Sequence, residues 1–344
     1  MNVYNMLLPY LHRVVAKENL SAGDAYQAML GVLSGEATTP QIAAFLVALR
    51  TKGETADELL GFARAMREKV DLVDVGAGLE PLLDTCGTGG SGPQTFNIST
   101  VAAFVVAGAG VHVAKHGNRS YSSPCGSADV LEELGICISI PVDRVALAIR
   151  EVGIGFLFAP MLHPAMKHAM PARQELKMRT VFNLLGPLTN PAGASRQLIG
   201  APSVEAAELM AGALAGLGSQ RAFVVHGSDG LDEVTTTGKT TVFEVAAGQV
   251  HPHFWHPADF GVPHATLADL AGGDRDTNRR IALDILNGAH GAPRDIVLVN
   301  AAAALLAAGV AENLHDGMRQ AAKSLDSGAA RSKMEKLAEF TQRG

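Results

Sequence analysis

A glycine-rich stretch, Asp84–Thr100, contains the residues of this chain best suited to binding a charged ligand. Four glycines and a proline lie within seven consecutive positions, with hydroxyl and amide residues on both sides. The apolar run Pro81–Leu83 precedes the stretch and the apolar segment Val101–Ala109 follows it, which predicts a strand, a loop and a helix. Loop amides and the N–H groups of a helix start bind anions. A tight connection without a ligand is the structural alternative, because a glycine motif alone is weak evidence.

Two further polar segments follow predicted strands. Lys115–Ser127 comes after a run ending at Ala114 and contains two cations, and His226–Glu233 comes after a run ending at Val225 and finishes with two carboxylates. Because the carboxyl ends of parallel strands meet at one edge of a sheet, we expect the three loops to converge. A polyphosphate would contact the first two, and an accompanying Mg²⁺ would contact the carboxylates. Solvated surface charge is the alternative for each segment taken alone.

Composition limits the class of protein. The chain has 344 residues, 47% of them hydrophobic, and a formal net charge of −6, so a large core is expected and a broad nucleic-acid surface is not. Three cysteines without metal-ligand spacing suit a reducing cytosol. Charges, glycines or prolines interrupt every apolar stretch, and the N-terminus shows no cationic leader, so we expect a cytoplasmic protein that does not enter a membrane.

Residues 1 to about 73 have the pattern of helices throughout. Ser21, Thr39 and Thr55 are predicted helix caps, and Gly53 predicts a helix end. The segment Gln41–Leu49 is apolar almost all round, so it must pack on several sides. Contact with a second subunit and contact with the rest of the chain both satisfy that requirement.

From about residue 80, short β-branched runs alternate with helices rich in alanine and leucine. This alternation predicts an α/β fold with a mainly parallel sheet covered on both faces. Thr241–Val245 and Gln249–His253 flank a short Ala-Ala-Gly connection, so we expect an antiparallel hairpin at that end of the sheet.

A fourth polar cluster lies within Phe156–Pro191. His163 and His168 are five residues apart, which is a poor geometry for a shared metal, so no zinc site is predicted. Arg173 and Arg179 are six residues apart, and either could clamp a carboxylate. A structural role is the alternative for both arginines, and more so for Arg179.

Five motifs together resemble one enzyme family. They are Gly87–Gly90 (GTGG), Asn97–Thr100 (N-x-S-T), Lys115–Arg119 (KHGNR), Arg179–Leu188 (RT-x-FN-x-LGPL) and Gly230–Glu233 (GLDE). Their types and order are similar to those of the anthranilate phosphoribosyltransferases of tryptophan biosynthesis. The resemblance is collinear from about residue 20 to the last helices, and the motifs are specific as a set.

The resemblance implies a two-domain fold related to nucleoside phosphorylases and phosphoribosyltransferases. A small all-helical N-terminal domain, residues 1–73, would lie beside a large α/β domain, residues 74–344, with a mainly parallel sheet. The segment around residues 164–190 would return to the helical domain. That domain would form a homodimer.

The implied reaction transfers the phosphoribosyl group of PRPP to the amino group of anthranilate, giving N-(5-phosphoribosyl)anthranilate and pyrophosphate. Mg²⁺ is the implied cofactor, with two ions expected. Catalysis would be electrostatic and positional, because an aromatic amine is already nucleophilic and no catalytic base is required. Arg173 would bind the anthranilate carboxylate.

By position, the resemblance implies the following binding residues: for Mg²⁺, Ser99, Asp232 and Glu233; for anthranilate, Gly87, Asn118 and Arg173; and for PRPP, Gly87, Gly90, Ser91, Thr95, Asn97, Ile98, Ser99, Thr100, Lys115, His116, Gly117, Asn118, Arg119, Ser120, Tyr121, Ser122, Ser123 and Ser127.

The chain departs from the family pattern at three positions, and two other functions stay open. Ser91 stands where the family usually has aspartate, Tyr121 where it has a small or aliphatic residue, and Pro124 where a basic residue is common. One alternative function is that of a pyrimidine nucleoside phosphorylase-like enzyme. The other is that of a non-catalytic relative that binds nucleic acid, which the acidic net charge disfavours.

Overall fold

The N-terminal part of the chain is helical in a computed structural model that describes residues 6–89, 92–120 and 124–343. Its helices are α1 Leu8–Val15, α2 Ala22–Leu33, α3 Thr39–Lys52 and α4 Ala56–Glu68. The predicted caps at Ser21 and Thr55 are confirmed, since each hydroxyl accepts a backbone hydrogen bond from the first turn that follows. Gly53 ends α3 with a φ of 90°. The prediction for α3 was wrong by one residue, because Thr38 is its cap and Thr39 its first residue.

A single sheet follows the helices. Its strands are β1 Leu82–Gly87, β2 His112–Gly117, β3 Ile154–Phe158, β4 Arg196–Gly200, β5 Arg221–Gly227, β6 Thr240–Ala246 and β7 Gln249–Trp255. Within the described residues the order is β3-β2-β1-β4-β5-β6-β7. Strands β1 to β5 pair in parallel, and β6 and β7 add the predicted antiparallel hairpin. Its two turn residues, Ala247 and Gly248, both have positive φ, which matches the right-handed twist of the strands.

Further helices lie between the strands and after them. They are α5 Ile98–Gly108, α6 Ser127–Glu133, α7 Val142–Glu151, α8 Ala159–Leu162, α9 Met170–Leu176, α10 Phe182–Leu185, α11 Val204–Gly216, α12 Arg275–Leu286, α13 Ala292–Ala308, α14 Leu314–Asp326 and α15 Ala329–Gln342. Short 3₁₀ turns occupy Pro164–His168, Gly186–Leu188, Pro257–Phe260 and Leu267–Leu270. The chain therefore combines a small helical N-terminal part with a larger α/β part, as predicted.

Helix α5 lies at the centre of the larger core. Every residue from Val101 to Ala107 is buried, and the helix packs against α13 on one face of the sheet. The other face is covered by α11, which also contacts α4. Helices α5 and α13 both pack on β1, the strand that precedes the glycine-rich loop. None of the helices in the described ranges is both long and apolar enough to cross a membrane.

The segment between β3 and β4 contacts the N-terminal helices. The 3₁₀ turn Pro164–His168 contacts α2, α9 contacts α3, and α10 contacts α4. Arg67 on α4 also donates to the Leu188 carbonyl at 2.8 Å. The return of residues 164–190 to the helical domain and the domain boundary at residue 73 both stay predictions.

Candidate functional site

The acidic segment after β5 lies against the ends of two other strands. Gly87 is the last residue of β1 and Gly200 the last residue of β4. A Cβ atom on Gly87 would lie 2.7 Å from Asp232 Oδ2, and one on Gly200 would lie 1.7 Å from the Asp232 carbonyl oxygen. Glycine at position 200 is therefore required for this close approach, because the atom it would meet belongs to the backbone.

Both carboxylates of this segment accept hydrogen bonds from the first loop. Asp232 Oδ2 accepts from the Gly89 amide at 3.0 Å, and Glu233 Oε1 accepts from the Ser99 amide at 3.2 Å. Ser99 lies in the first turn of α5, where the helix dipole stabilises negative charge. The structure thus brings together Ser99, Asp232 and Glu233, the three residues predicted to hold Mg²⁺.

A buried cation lies beside this group. Lys115 is 3% exposed, and its Nζ donates to the Thr85 carbonyl and to Ser99 Oγ, the latter at 3.4 Å. Burial lowers the pKa of Lys115. Burial, and then the charge of Asp232, raise the pKa of Glu233 to about 8. Both shifts disfavour the charged forms of these two buried groups.

The donors at this position suit Mg²⁺. Two carboxylates and the Ser99 hydroxyl are hard oxygen donors, which this ion prefers. In the described part of the chain, no three His, Cys, Asp or Glu side chains form a metal cluster. That is compatible with Mg²⁺, which binds proteins through one or two carboxylates and completes its shell with water and phosphate oxygens.

The amides at the start of α5 already have protein partners. Ile98 N donates to the Phe96 carbonyl at 2.8 Å and Thr100 N to the Asn97 carbonyl at 3.1 Å. The Ser99 amide donates to the acidic segment. The prediction of free donors at this helix start is therefore wrong for the structure described. The Ile98 side chain is buried in the core, so a ligand contact there would have to use the backbone.

Other side chains of the first loop hold the loop itself. Asn97 Nδ2 donates to the Cys125 carbonyl at 3.2 Å, and Asn97 Oδ1 accepts from Asn278 at 3.1 Å. Thr95 forms an isolated antiparallel bridge with the segment after β7. Thr100 Oγ1 is buried and has no hydrogen-bond partner in the described chain. Asn97 thus links the first loop to the second polar segment.

The imidazole of His116 does not face the acidic group. It is buried, its Nδ1 donates to the Gly186 carbonyl at 3.1 Å, and its Nε2 lies 3.2 Å from His163 Nε2. Burial, and then the neighbouring His163, lower the pKa of His116 to about 3, and burial lowers the pKa of His163 to about 4. As successive residues of β2, Lys115 and His116 point to opposite faces, so a PRPP contact at His116 would have to use the backbone rather than this side chain.

Arg119 is held by carboxylates. Its guanidinium contacts both oxygens of Glu132, at 2.6 and 2.8 Å, and Asp129 Oδ1 at 2.9 Å. These contacts support the segment that carries Arg119, and its predicted PRPP contact stays a prediction. Asn118 is exposed; its Oδ1 accepts from the Arg119 amide at 2.7 Å, and its carbonyl accepts from Ser127 Oγ at 3.1 Å.

The second segment folds back on itself at two glycines. A Cβ atom on Gly117 would lie 2.5 Å from Ser127 Oγ, and one on Gly126 would lie 2.3 Å from the Ser120 amide nitrogen. This fold-back places the exposed Asn118 near the end of β2.

Arg173 and Arg179 occupy different surroundings. Arg173, on α9, lies 5.2 Å from the ring centroid of Phe182 and is partly buried. Arg179 Nη1 donates to the Gly89 carbonyl at 2.6 Å, so this arginine reaches the glycine loop. This contact with the glycine loop was not predicted, although Arg179 begins the Arg179–Leu188 motif.

A buried network behind β1 and β2 was also missed. Asn190 Nδ2 donates to Asp84 Oδ2 and to the Ala114 carbonyl, both at 2.8 Å, and Asp84 Oδ1 accepts from the His116 amide at 3.1 Å. Asn190 lies two residues after the Arg179–Leu188 motif, and its side chain joins the two strands. The predicted PRPP residues Gly90, Ser91, Tyr121, Ser122 and Ser123 lie outside the described residues.

Known proteins resemble the chain over nearly its full length. Residues 79–331 match the glycosyl transferase family a/b domain, and residues 8–70 match the helical bundle domain of the same family. An anthranilate phosphoribosyltransferase of Solibacter usitatus is 64% identical over 336 residues, covering 97% of this chain and 98% of the relative. The chain belongs to the anthranilate phosphoribosyltransferase family. It is thus a phosphoribosyltransferase of tryptophan biosynthesis, and neither alternative function is supported by these matches.

Further relatives and solved structures agree with the family assignment. The Moorella thermoacetica member is 53% identical over 98% of this chain and 99% of its own. The Thermus thermophilus structure has a TM-score of 0.90 and 42% identity, covering 96% of this chain and 99% of that one. A Saccharomyces cerevisiae member, solved in complex with PRPP and Mg, has a TM-score of 0.88 and 30% identity, covering 97% of both chains. The same yeast enzyme has been solved with 4-fluoroanthranilate.

Proposed function

We propose that this chain transfers the phosphoribosyl group of PRPP to anthranilate and releases pyrophosphate, with Mg²⁺ as cofactor. The observation that carries the proposal is the contact of Asp232 and Glu233 with the Gly89 and Ser99 amides. It places acceptors for a divalent cation next to donors for a phosphate group, which is the pairing a metal–diphosphate ligand requires.

The residues at this edge can stabilise the departure of pyrophosphate. Ser99, Asp232 and Glu233 would hold Mg²⁺, which when bound neutralises negative charge on the leaving group. Lys115, buried beside Ser99, adds a fixed positive charge in a setting of low dielectric. The Gly89 amide could donate to phosphate oxygens once it leaves Asp232, to which it donates in this structure. Lys115 and the two carboxylates would act through charge already held at this edge of the sheet.

Anthranilate would be held by Arg173 and Asn118, with Gly87 beneath it. Arg173 is planar and positively charged, and its packing near Phe182 limits its freedom, which suits a carboxylate clamp. The exposed Asn118 amide lies at the end of β2, on the same edge as Gly87. The aromatic amine needs positioning against the ribose rather than deprotonation by a strong base.

The remaining proposals concern assembly and stoichiometry. We propose a cytoplasmic homodimer that associates through the helical domain, since Val15 on α1 is 64% exposed and Val47 on α3 is 36% exposed. We also propose two Mg²⁺ ions per site and a helical domain of residues 1–73. Light scattering of the purified chain measures the oligomeric state, and calorimetric titration of Mg²⁺ with PRPP present measures the number of ions bound per site.

The deciding experiment is the loss of anthranilate fluorescence on addition of PRPP and Mg²⁺. We expect fluorescence to fall in proportion to pyrophosphate release, and to stay constant without PRPP or with EDTA. Constant fluorescence combined with phosphorolysis of a pyrimidine nucleoside would identify the first alternative. Salt-sensitive DNA binding without turnover would identify the second.

A further inference from the structure

The backbone of Gly89 is held between two opposite charges. Its amide donates to Asp232 Oδ2 at 3.0 Å, and its carbonyl accepts from Arg179 Nη1 at 2.6 Å. Asp232 is 143 residues away along the chain and Arg179 is 90 residues away, so two distant segments meet on one residue. Gly89 has a φ of +65°, a conformation that favours glycine.

Two polar atoms at this loop have no hydrogen-bond partner among the described residues. Arg179 Nη2 and Thr88 Oγ1 are buried and make no hydrogen bond with any described residue. Buried polar groups in folded proteins are nearly always paired, and an unpaired charged donor is costly. Both atoms are donors, and both flank Gly89, so the group that would satisfy them carries acceptor oxygens.

The position of Arg179 in the fold distinguishes it from an arginine with a structural role. Arg196 also makes one hydrogen bond to a backbone carbonyl, that of Ala307 at 3.2 Å, and has a buried unpaired nitrogen, Nε. It begins β4, however, and so lies at the opposite end of the strands from the glycine loop. Of these two arginines, only Arg179 is next to an unpaired hydroxyl and to a carboxylate predicted to hold Mg²⁺.

We propose that Arg179 binds the diphosphate of PRPP, with Nη1 fixing the Gly89 carbonyl and Nη2 donating to a phosphate oxygen beside Thr88. This inference rests on the proposed function and adds a contact to it. A guanidinium suits the double task because its planar donors can bind two acceptors in fixed directions. Burial lowers the pKa of Arg179 while the charge of Asp232 opposes this, which is consistent with a cation desolvated next to its ligand site.

Calorimetric titration with inorganic pyrophosphate and Mg²⁺ tests the proposal without turnover. For Arg179→Gln we expect the dissociation constant to rise by about tenfold to a hundredfold, the range for a lost charge-assisted hydrogen bond. The matched control, Arg196→Gln, should bind as the unchanged chain does. In steady-state assays Arg179→Gln should raise the KM for PRPP and leave that for anthranilate unchanged, a selectivity that a purely structural role would not produce.

Arg179→Lys covers the case in which the glutamine variant does not fold. Lysine retains the charge but lacks the planar fork, so we expect a several-fold weaker affinity for pyrophosphate with an unchanged melting temperature. Unchanged pyrophosphate affinity in either folded variant would overturn the proposal. If the unsubstituted chain itself fails to bind pyrophosphate with Mg²⁺, the proposed function fails instead, so the two outcomes are distinguishable.

Discussion

Gly200→Ala should disable the acidic segment without altering any charged residue. The added Cβ would lie 1.7 Å from the Asp232 carbonyl oxygen, 2.5 Å from its carbonyl carbon and 2.9 Å from its Cβ. To reach 3.0 Å from that oxygen, the separation has to grow by 3.0 − 1.7 = 1.3 Å. Strand β4 is paired on both sides, with β1 and β5, so we expect the segment carrying Asp232 to move.

The expected cost has two parts. Overpacking a tight site typically destabilises a protein by about 1–3 kcal/mol. A misplacement of about 1 Å at a reaction site can cost about a hundredfold in rate. We therefore expect turnover at fixed Mg²⁺ to fall by about a hundredfold, and the Mg²⁺ concentration for half-maximal activity to rise. Fluorescence-detected kinetics over a range of Mg²⁺ concentrations, together with thermal unfolding, measure both parts.

Gly108→Ala is the matched control for this substitution. Its Cβ would lie 2.2 Å from Ser324 Oγ and 2.6 Å from the Ala330 amide nitrogen, so it also introduces a clash in the core. Gly108 is the last residue of α5, about 14 Å along the helix from Ser99. We expect a similar loss of thermal stability with unchanged Mg²⁺ dependence. A normal Mg²⁺ requirement in Gly200→Ala, or an equal kinetic loss in Gly108→Ala, would refute the reasoning.

Three other outcomes are expected. Arg173→Ala should raise the KM for anthranilate by tenfold or more and leave PRPP kinetics normal; an unchanged anthranilate KM excludes the clamp. The double variant Asp232→Asn with Glu233→Gln should lose Mg²⁺-dependent turnover and calorimetric Mg²⁺ binding, and full activity would remove the metal assignment. The free energy of unfolding should fall as the pH drops from about 6.5 towards 4, because the pKa values of His116 and His163, about 3 and about 4, lie below the ordinary 6.5. In that window the unfolded chain binds protons that the folded chain does not, at a cost of up to about 1.4 kcal/mol per pH unit for each imidazole. Urea unfolding at a series of pH values should show that the free energy of unfolding of His163→Gln changes less with pH than that of the unsubstituted chain. An equal pH dependence would contradict the role given to His163.

The elements were more predictable than the contacts between them. The cap at Thr55, the helix end at Gly53 and the β6–β7 hairpin depend on residues adjacent in the chain, so local patterns were sufficient. The partner of the Ser99 amide is Glu233, 134 residues away, and no local pattern indicates which carboxylate caps α5. The ion pairs of Arg119 were missed for the same reason.

Strand alternation could have corrected one residue in advance. Lys115 and His116 are consecutive in β2, so only one of them can face α5. The predicted PRPP contact at His116 followed from the motif rather than from this geometry. The role of Asn190 could not be predicted for a different reason. A side-chain amide that joins two strands cannot be distinguished from a ligand-binding amide by sequence alone.

In the proposed site, the hydrogen bonds from Gly89 and Ser99 to the acidic pair would make cation and anion binding cooperative. The same carboxylates that would hold Mg²⁺ accept from amides that would otherwise be free to bind phosphate oxygens. A ligand that draws the carboxylates away would lower the free-energy cost of binding the other ligand, and linkage requires this effect to be reciprocal. We therefore expect the affinity for diphosphate to depend on the divalent cation even beyond their direct attraction, and the loss of pyrophosphate after reaction to weaken retention of the metal.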